Sequence, residues 1–165
     1  MTTSDISARR FRNALGEYAS GITIVTALSD GAPVGFTCQS FYSVSLEPKL
    51  VSFCVSATSQ SWPIVRGCDR FAINFLAAHQ AFVSQAMASK TGDRWSNVEW
   101  IRTPLGNPRI KDAVLCLECT LHAEHVAGDH TIVIAEVQDL SESAGLDPLI
   151  FFKGQYRRLA AMAEG

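Results

Sequence analysis

The sequence predicts a mainly β protein, a β-barrel with peripheral helices. Three observations lead there. Apolar, β-branched segments recur at short intervals and are joined by tight-turn residues, so the strands arrive as antiparallel neighbours. Helical segments are few and do not alternate with strands, which argues against a doubly wound parallel sheet. No G-x-G-x-x-G follows a strand, so nothing supports a Rossmann dinucleotide site.

Each element has a local reason. Asp5 or Ser7 can cap a first helix running through Tyr18, with Phe11, Leu15 and Tyr18 on one face and Gly21 as its stop. Ile22 to Leu28 is a β-branched strand, and Ser29-Asp30-Gly31-Ala32 is a hairpin turn in which Asp-Gly supplies positive φ angles. Val34 to Thr37 returns, and Leu50 to Ser56 is the third strand. Ser61-Trp62-Pro63 opens a short helix, with Ser61 as cap and proline tolerated in the first turn. Arg70 to Leu76 reads as a strand, His79 to Lys90 as a helix, and Thr103 to Lys111 as a loop rich in proline and glycine. Two long strands, Val114 to Val126 and Thr131 to Leu140, meet at Ala127-Gly128-Asp129, and a last strand lies near Leu149 to Tyr156.

The composition bounds the function. A chain of 165 residues, 47% hydrophobic and 18% charged, fits one domain spanning 1–165 with a core over about 9–159. A net charge of −2 without a basic block argues against a nucleic-acid partner. No apolar run reaches the roughly 18 residues of a membrane span, and the N-terminus lacks a secretory apolar region. The expectation is a cytoplasmic protein with no membrane partner. Five cysteines, an odd number in or near apolar stretches, fit buried free thiols. Cys116 and Cys119 share a C-x-x-C spacing, but on a strand positions three apart face opposite sides.

The chemistry-bearing residues cluster in a few segments. Gly35 to Pro48 leaves a strand and becomes a run of small hydroxyl, thiol and amide groups, suited to the rim of a flat, polar-edged ligand. Ser59-Gln60-Ser61 offers hydroxyls at a helix start, as an anion seat or as simple capping. Lys90-Thr91-Gly92-Asp93-Arg94 could bring positive charge to the same anion, or simply end a helix. The histidines show no metal-clamp spacing, so no metal site is expected. His130 closes the Gly128-Asp129-His130 turn, either as a surface turn residue or as one projecting towards a ligand. There is no G-x-S-x-G elbow for a hydrolase.

Several segments share an order and spacing with a known family. They are Phe11 to Gly16, Ser20 to Thr26, Gly35 to Pro48, Arg70 to Asn74, Lys90 to Arg94, Leu117-Glu118-Cys119, Ala127 to His130, and Phe151 to Tyr156. Together they resemble the short-chain flavin reductases, the reductase components of two-component flavin-dependent monooxygenases. Gln39 stands where many relatives carry asparagine, and the Cys38-Gln39-Ser40-Phe41 form is similar to reductases that serve steroid or phenol breakdown. The resemblance implies a split β-barrel that binds flavin at a homodimer interface, and a flavin-dependent monooxygenase as partner. It implies FMN or FAD, with FMN the first expectation, and NADH, with NADPH as the other donor.

Carried over by position, the resemblance sets Thr37, Cys38, Gln39, Ser40 and Ser43 along the flavin ring and ribityl chain, with Cys54, Val55 and Ser56 beside the same ligand. It gives the phosphate to Gln60, Ser61, Lys90 and Thr91. His130 is the catalytic candidate, placing the nicotinamide nucleotide together with Lys153, Gly154, Gln155 and Tyr156. The implied reaction is hydride transfer from the nicotinamide to the flavin, with the cofactors supplying the chemistry and the protein the placement. A flavin carrier or sensor without reductase activity, and an FMN-dependent oxidase of the pyridoxine-phosphate type, are the other readings of the same barrel.

Overall fold

The computed structural model describes residues 6–160. The first helix, α1 (Ala8–Leu15), is followed by strands β1 (Ser20–Gly21), β2 (Thr23–Ser29), β3 (Ala32–Cys38), β4 (Tyr42–Leu46) and β5 (Lys49–Ser56). Helix α2 (Trp62–Arg66), strand β6 (Phe71–Phe75) and helix α3 (Ala81–Ala88) come next. Strands β7 (Trp100–Arg102), β8 (Pro108–Ile110), β9 (Leu115–Ala127), β10 (His130–Glu142), β11 (Ile150–Phe152) and β12 (Gln155–Arg157) complete the chain.

Seven strands form one antiparallel sheet in the order β3-β2-β6-β9-β10-β5-β4. It curls into a barrel that is not hydrogen-bonded shut. The long β9–β10 hairpin carries two register shifts, between Ile134 and Ala135 and between Val137 and Asp139. Such bulges increase local twist and let a long strand pair bend around the core. Ser40 bridges the split. Its Oγ accepts from the Cys54 amide (2.8 Å) and donates to the Cys54 carbonyl (3.2 Å). The β4–β5 ladder begins only at Tyr42 and Ser52, so the hydroxyl completes the pairing of the end of β5 on the side that β4 does not reach.

Two apolar clusters hold the sheet. Val25, Phe53, Val55, Trp62, Phe71, Ile73 and Val133 fill the barrel, with Trp62 edge-on to Phe53 and Phe71 at 5.5 and 5.9 Å. Ile22, Ile24, Leu76, Val83, Met87 and Leu149 form a second layer outside it, beneath α3. Strand β2 is covered on both faces, which is why it reads as a continuous apolar run and not as an alternation. The Asp30-Gly31 turn has φ of 50° and 80°, the left-handed pair its sequence predicts.

Several elements differ from the sequence expectation. The first helix stops at Gly16, because the Gly16 carbonyl accepts from the Lys153 amide (3.0 Å) and leaves the helical ladder. Ser7 caps it, accepting from the Arg10 amide, while Asp5 lies outside the described residues. Residues 42–46 form an edge strand inside the polar run. The expected loop at 103–111 is a hairpin, β7–β8, closed around Pro104 and Gly106. The last expected strand is two, β11 and β12, turned at Lys153 and Gly154 with φ of 51° and 74°.

A buried polar network clamps the β7–β8 hairpin to the barrel. Asn74, fully buried, donates to Thr26 Oγ1 (3.0 Å) and accepts from the Ile110 amide (2.8 Å). Thr26 donates to the Pro108 carbonyl (2.6 Å). Glu118, also buried, accepts from the Thr103 hydroxyl and from Asn107 Nδ2 (3.0 Å). Cys116 and Cys119 are free, buried thiols pushed up to about 12 by burial. Among the described residues, no helix is long and apolar enough to cross a membrane.

Candidate functional site

One large cleft, about 1560 Å³, opens at the split of the barrel. Its floor is the end of β3 with the two residues after it, and the facing end of β5. One wall is α1 and the β11–β12 turn. The segment that leads into α2 and the region after α3 form the other end.

The floor is set by backbone fit. Gly35 sits where a Cβ would meet the Val25 carbonyl at 2.8 Å, so only glycine lets β3 lie this close to its neighbour. Two residues on, Thr37 Oγ1 donates to the Ser84 carbonyl (2.8 Å), and Tyr156 donates to Ser84 Oγ (3.0 Å). Ser84 thereby ties strand, helix and wall together from a buried place on α3. Cys38 is buried, and that burial, before any other effect, raises its thiol pKa; a neutral thiol here is a packing group. The Ser40 hydroxyl bonds both backbone groups of Cys54 and lies 3.4 Å from Cys38 Sγ, so it shapes the floor from within the protein.

At the other end, Ser61 occupies the N-cap position of α2 but does not cap it. Its Oγ accepts from Arg94 Nη1 (3.0 Å), which also reaches the Gly35 carbonyl (3.4 Å). The Trp62 amide donates instead to Ser59 Oγ (3.2 Å). The Ser59-Gln60-Ser61 segment thus lies with Arg94, and Lys90 lines the same cleft. The side wall is held by Lys153, which pairs with Glu17 at 3.0 Å.

His130 starts β10 opposite Ser56 and faces the cleft. Its Nδ1 lies 2.7 Å from Asp129 Oδ1, and that hydrogen bond lowers the Asp129 carboxyl below its ordinary value. Gly128, at φ 63°, makes the two-residue turn possible.

The fold therefore brings together Thr37, Cys38, Gln39, Ser40, Cys54, Val55, Ser56, Gln60, Ser61, Lys90, His130, Lys153, Gly154 and Tyr156. Three expected residues do not line the cleft. Ser43 is on exposed edge strand β4, which has already turned down the far side of β5. Thr91 is exposed, its backbone tied into a turn by Ser89 Oγ. Gln155 points away because strand β12 alternates and Tyr156 takes the inward place. The sequence reading missed Ser59, Arg94, Ser84, Arg12 and Asn13 as individual cleft residues. Ser59 and Arg94 lay in segments with a recognisable anion-binding composition; Ser84, a serine in an otherwise helical run, gave no signal.

Comparison with known proteins agrees with this geometry. The family described as "Flavin reductase like domain" matches residues 15–160. The chain is 40% identical over 151 residues to the reductase subunit HsaB of a flavin-dependent monooxygenase from Rhodococcus jostii (strain RHA1), covering 92% of this chain and 77% of that one. It is similar to the NADH:FAD oxidoreductase SgcE6 of Streptomyces globisporus C-1027, solved in complex with NAD and FAD fragments, with a TM-score of 0.91 and 32% identity over 99% of this chain and 100% of that chain. It also matches nitrilotriacetate monooxygenase component B from Mycobacterium thermoresistibile, with a TM-score of 0.89 and 37% identity over 95% of this chain and 91% of that chain. An open barrel with a polar cleft at its split, and matches of this length, lead to one conclusion: the chain belongs to the flavin reductase like domain family.

Proposed function

We propose that the protein is an NADH-dependent flavin reductase that supplies reduced FMN or FAD to a separate flavin-dependent monooxygenase. The observation that carries the reading is the cleft itself. At about 1560 Å³ it exceeds the ~300–1,000 Å³ usual for one small-molecule site, as suits two nucleotides together. It combines a flat floor of small side chains with two cations, Lys90 and Arg94, beside the hydroxyls of Ser59 and Ser61. That donor set fits a flavin nucleotide whose phosphate sits by Ser59-Gln60-Ser61.

Bound there, a flavin would supply the ring that accepts hydride from NADH. The chain's own residues do the placing. Thr37, Gln39 and the backbone of Cys54 to Ser56 border the ring site, and Ser40 and Ser84 keep that floor from shifting. His130, oriented by Asp129, and the Lys153-to-Tyr156 turn line the part of the cleft left for the nicotinamide nucleotide. No side chain has to act as a nucleophile, in keeping with the neutral, buried Cys38.

The reading extends to a homodimer. Helix α1 buries none of its residues, and Phe11, Leu15 and Tyr18 stay exposed next to the cleft. Edge strand β4 likewise exposes Tyr42, Val44 and Leu46. A second copy covering these faces would bury over ~1,000 Å² and remove an exposed strand edge. Light scattering should give twice the chain mass, and a monomer with flavin bound would defeat this part.

The central test is a mixture of purified protein, FMN or FAD, and NADH, followed at the NADH absorbance band. Many turnovers per protein support the reductase. A protein that binds flavin and leaves NADH unconsumed defeats it.

A further inference from the structure

Glu124 lies on β9, outside the cleft, yet both of its carboxylate oxygens are used by α2. Oε1 accepts from Trp62 Nε1 at 2.9 Å, and Oε2 pairs with Arg66 Nε at 2.5 Å. Trp62 is the residue on which the cleft end turns. Its ring is buried among Phe36, Phe53 and Phe71, and its amide is tied to Ser59 Oγ. Ser61, the residue before it, is bonded to Arg94. The orientation of Ser59, Gln60 and Ser61 therefore depends on where the Trp62 backbone sits.

We infer that Glu124 is a positioning residue for the phosphate seat: by fixing the Trp62 indole it holds Ser59-Gln60-Ser61 in the conformation that receives an anion. The inference rests on the proposed placement of the flavin phosphate. An indole N–H buried without an acceptor is costly, so Glu124 selects one orientation of Trp62 over any that would strand it. A seat already ordered before binding spares the ligand the cost of ordering it. The Arg66 arm is exposed and contributes less, since surface ion pairs are weak. The indole arm carries the effect.

The experiment titrates FMN and riboflavin, which lacks the phosphate, into the full-length protein by flavin fluorescence. Wild type should bind FMN more tightly than riboflavin. Glu124→Ala should weaken FMN about tenfold, the order expected when two or three side chains must be ordered on binding, and leave riboflavin unchanged. Glu124→Gln keeps an acceptor for the indole and should restore FMN affinity. Trp62→Phe, which removes the N–H together with part of the ring and keeps an aromatic group in the core, should repeat the FMN-selective loss and serves if Glu124→Ala does not fold. Equal losses for FMN and riboflavin, or none for either, overturn the inference while leaving the phosphate seat in place. Equal binding of both ligands by wild type removes the seat itself and the inference with it.

Discussion

The protein has two polar regions built from the same residue types and used differently. Under the β7–β8 hairpin, Asn74, Thr26, Glu118, Thr103 and Asn107 are buried, and they bond to one another and to strand ends. At the split, Gln39, Gln60, Lys90 and His130 are exposed and line the cleft. A polar group whose hydrogen-bonding capacity is spent inside the protein stabilises the fold; one whose capacity reaches solvent is available to a ligand. Ser40 stands at the boundary: it lies on the cleft floor but its hydroxyl is spent on Cys54.

Asn74→Ala leaves the Ile110 amide without its acceptor and removes a donor to Thr26, and should cost about 3 kcal/mol of stability, most of it the ~1–3 kcal/mol of an unsatisfied buried group. Urea denaturation measures it, and the FMN dissociation constant of the folded fraction should stay at the wild-type value. A weakened FMN site would mean that the two regions are not separate. Ser40→Ala should do both things at once: it should cost about 2 kcal/mol by leaving two Cys54 backbone groups without their partner, and should also raise the FMN KM.

On the cleft side the effects turn to binding. Ser61→Ala should weaken FMN by about tenfold, at ~1.5 kcal/mol for a bond to a charged oxygen, with an unchanged urea midpoint. Lys90→Ala should weaken it less and in a salt-sensitive way, since the side chain is exposed. His130→Ala should raise the NADH KM a few-fold with FMN affinity intact. Steady-state kinetics with each substrate varied in turn separate these outcomes, and normal NADH kinetics would leave His130 as a surface turn residue.

The smallest effect sharpens the buried side. Cys116 and Cys119 stay protonated in the folded protein up to about 12, against 9.0 for an ordinary thiol. Above the ordinary value the unfolded chain loses these protons and the folded chain keeps them, so stability is full below pH 9 and falls as pH rises towards 12. Alkylation at pH 8 should spare both thiols in the native protein and label both in urea, as read by mass spectrometry. Native labelling at either would show that the buried region opens.

Local rules reached far along this chain. The Asp30-Gly31 turn, the double-covered run of β2, the β9–β10 hairpin and the short helix at Trp62 all follow from the chemistry of adjacent residues. Strand β4 escaped that reading because its apolar residues, Tyr42, Val44 and Leu46, face outward, and its ladder partner supplies the order that its own pattern does not. The β7–β8 hairpin escaped because Pro104 and Gly106 make it look like a loop, while the bonds that hold it come from Asn74 and Glu118, far along the chain.

For the site, residue type and order alone set which segments carry small donors, amides and cations. They also carried enough pattern to place the chain in a flavin-binding family. Which of those groups face the cleft depends on how distant segments pack together. Ser61 looks like a helix cap and instead bonds Arg94, Ser40 lines the cleft while its hydroxyl bonds the Cys54 backbone, and Thr91 and Gln155 turn away from a cleft that their neighbours line. The reason is physical: a side chain's chemistry is local, but its hydrogen-bond partner and the face it occupies are set by strands and helices brought together from distant parts of the chain.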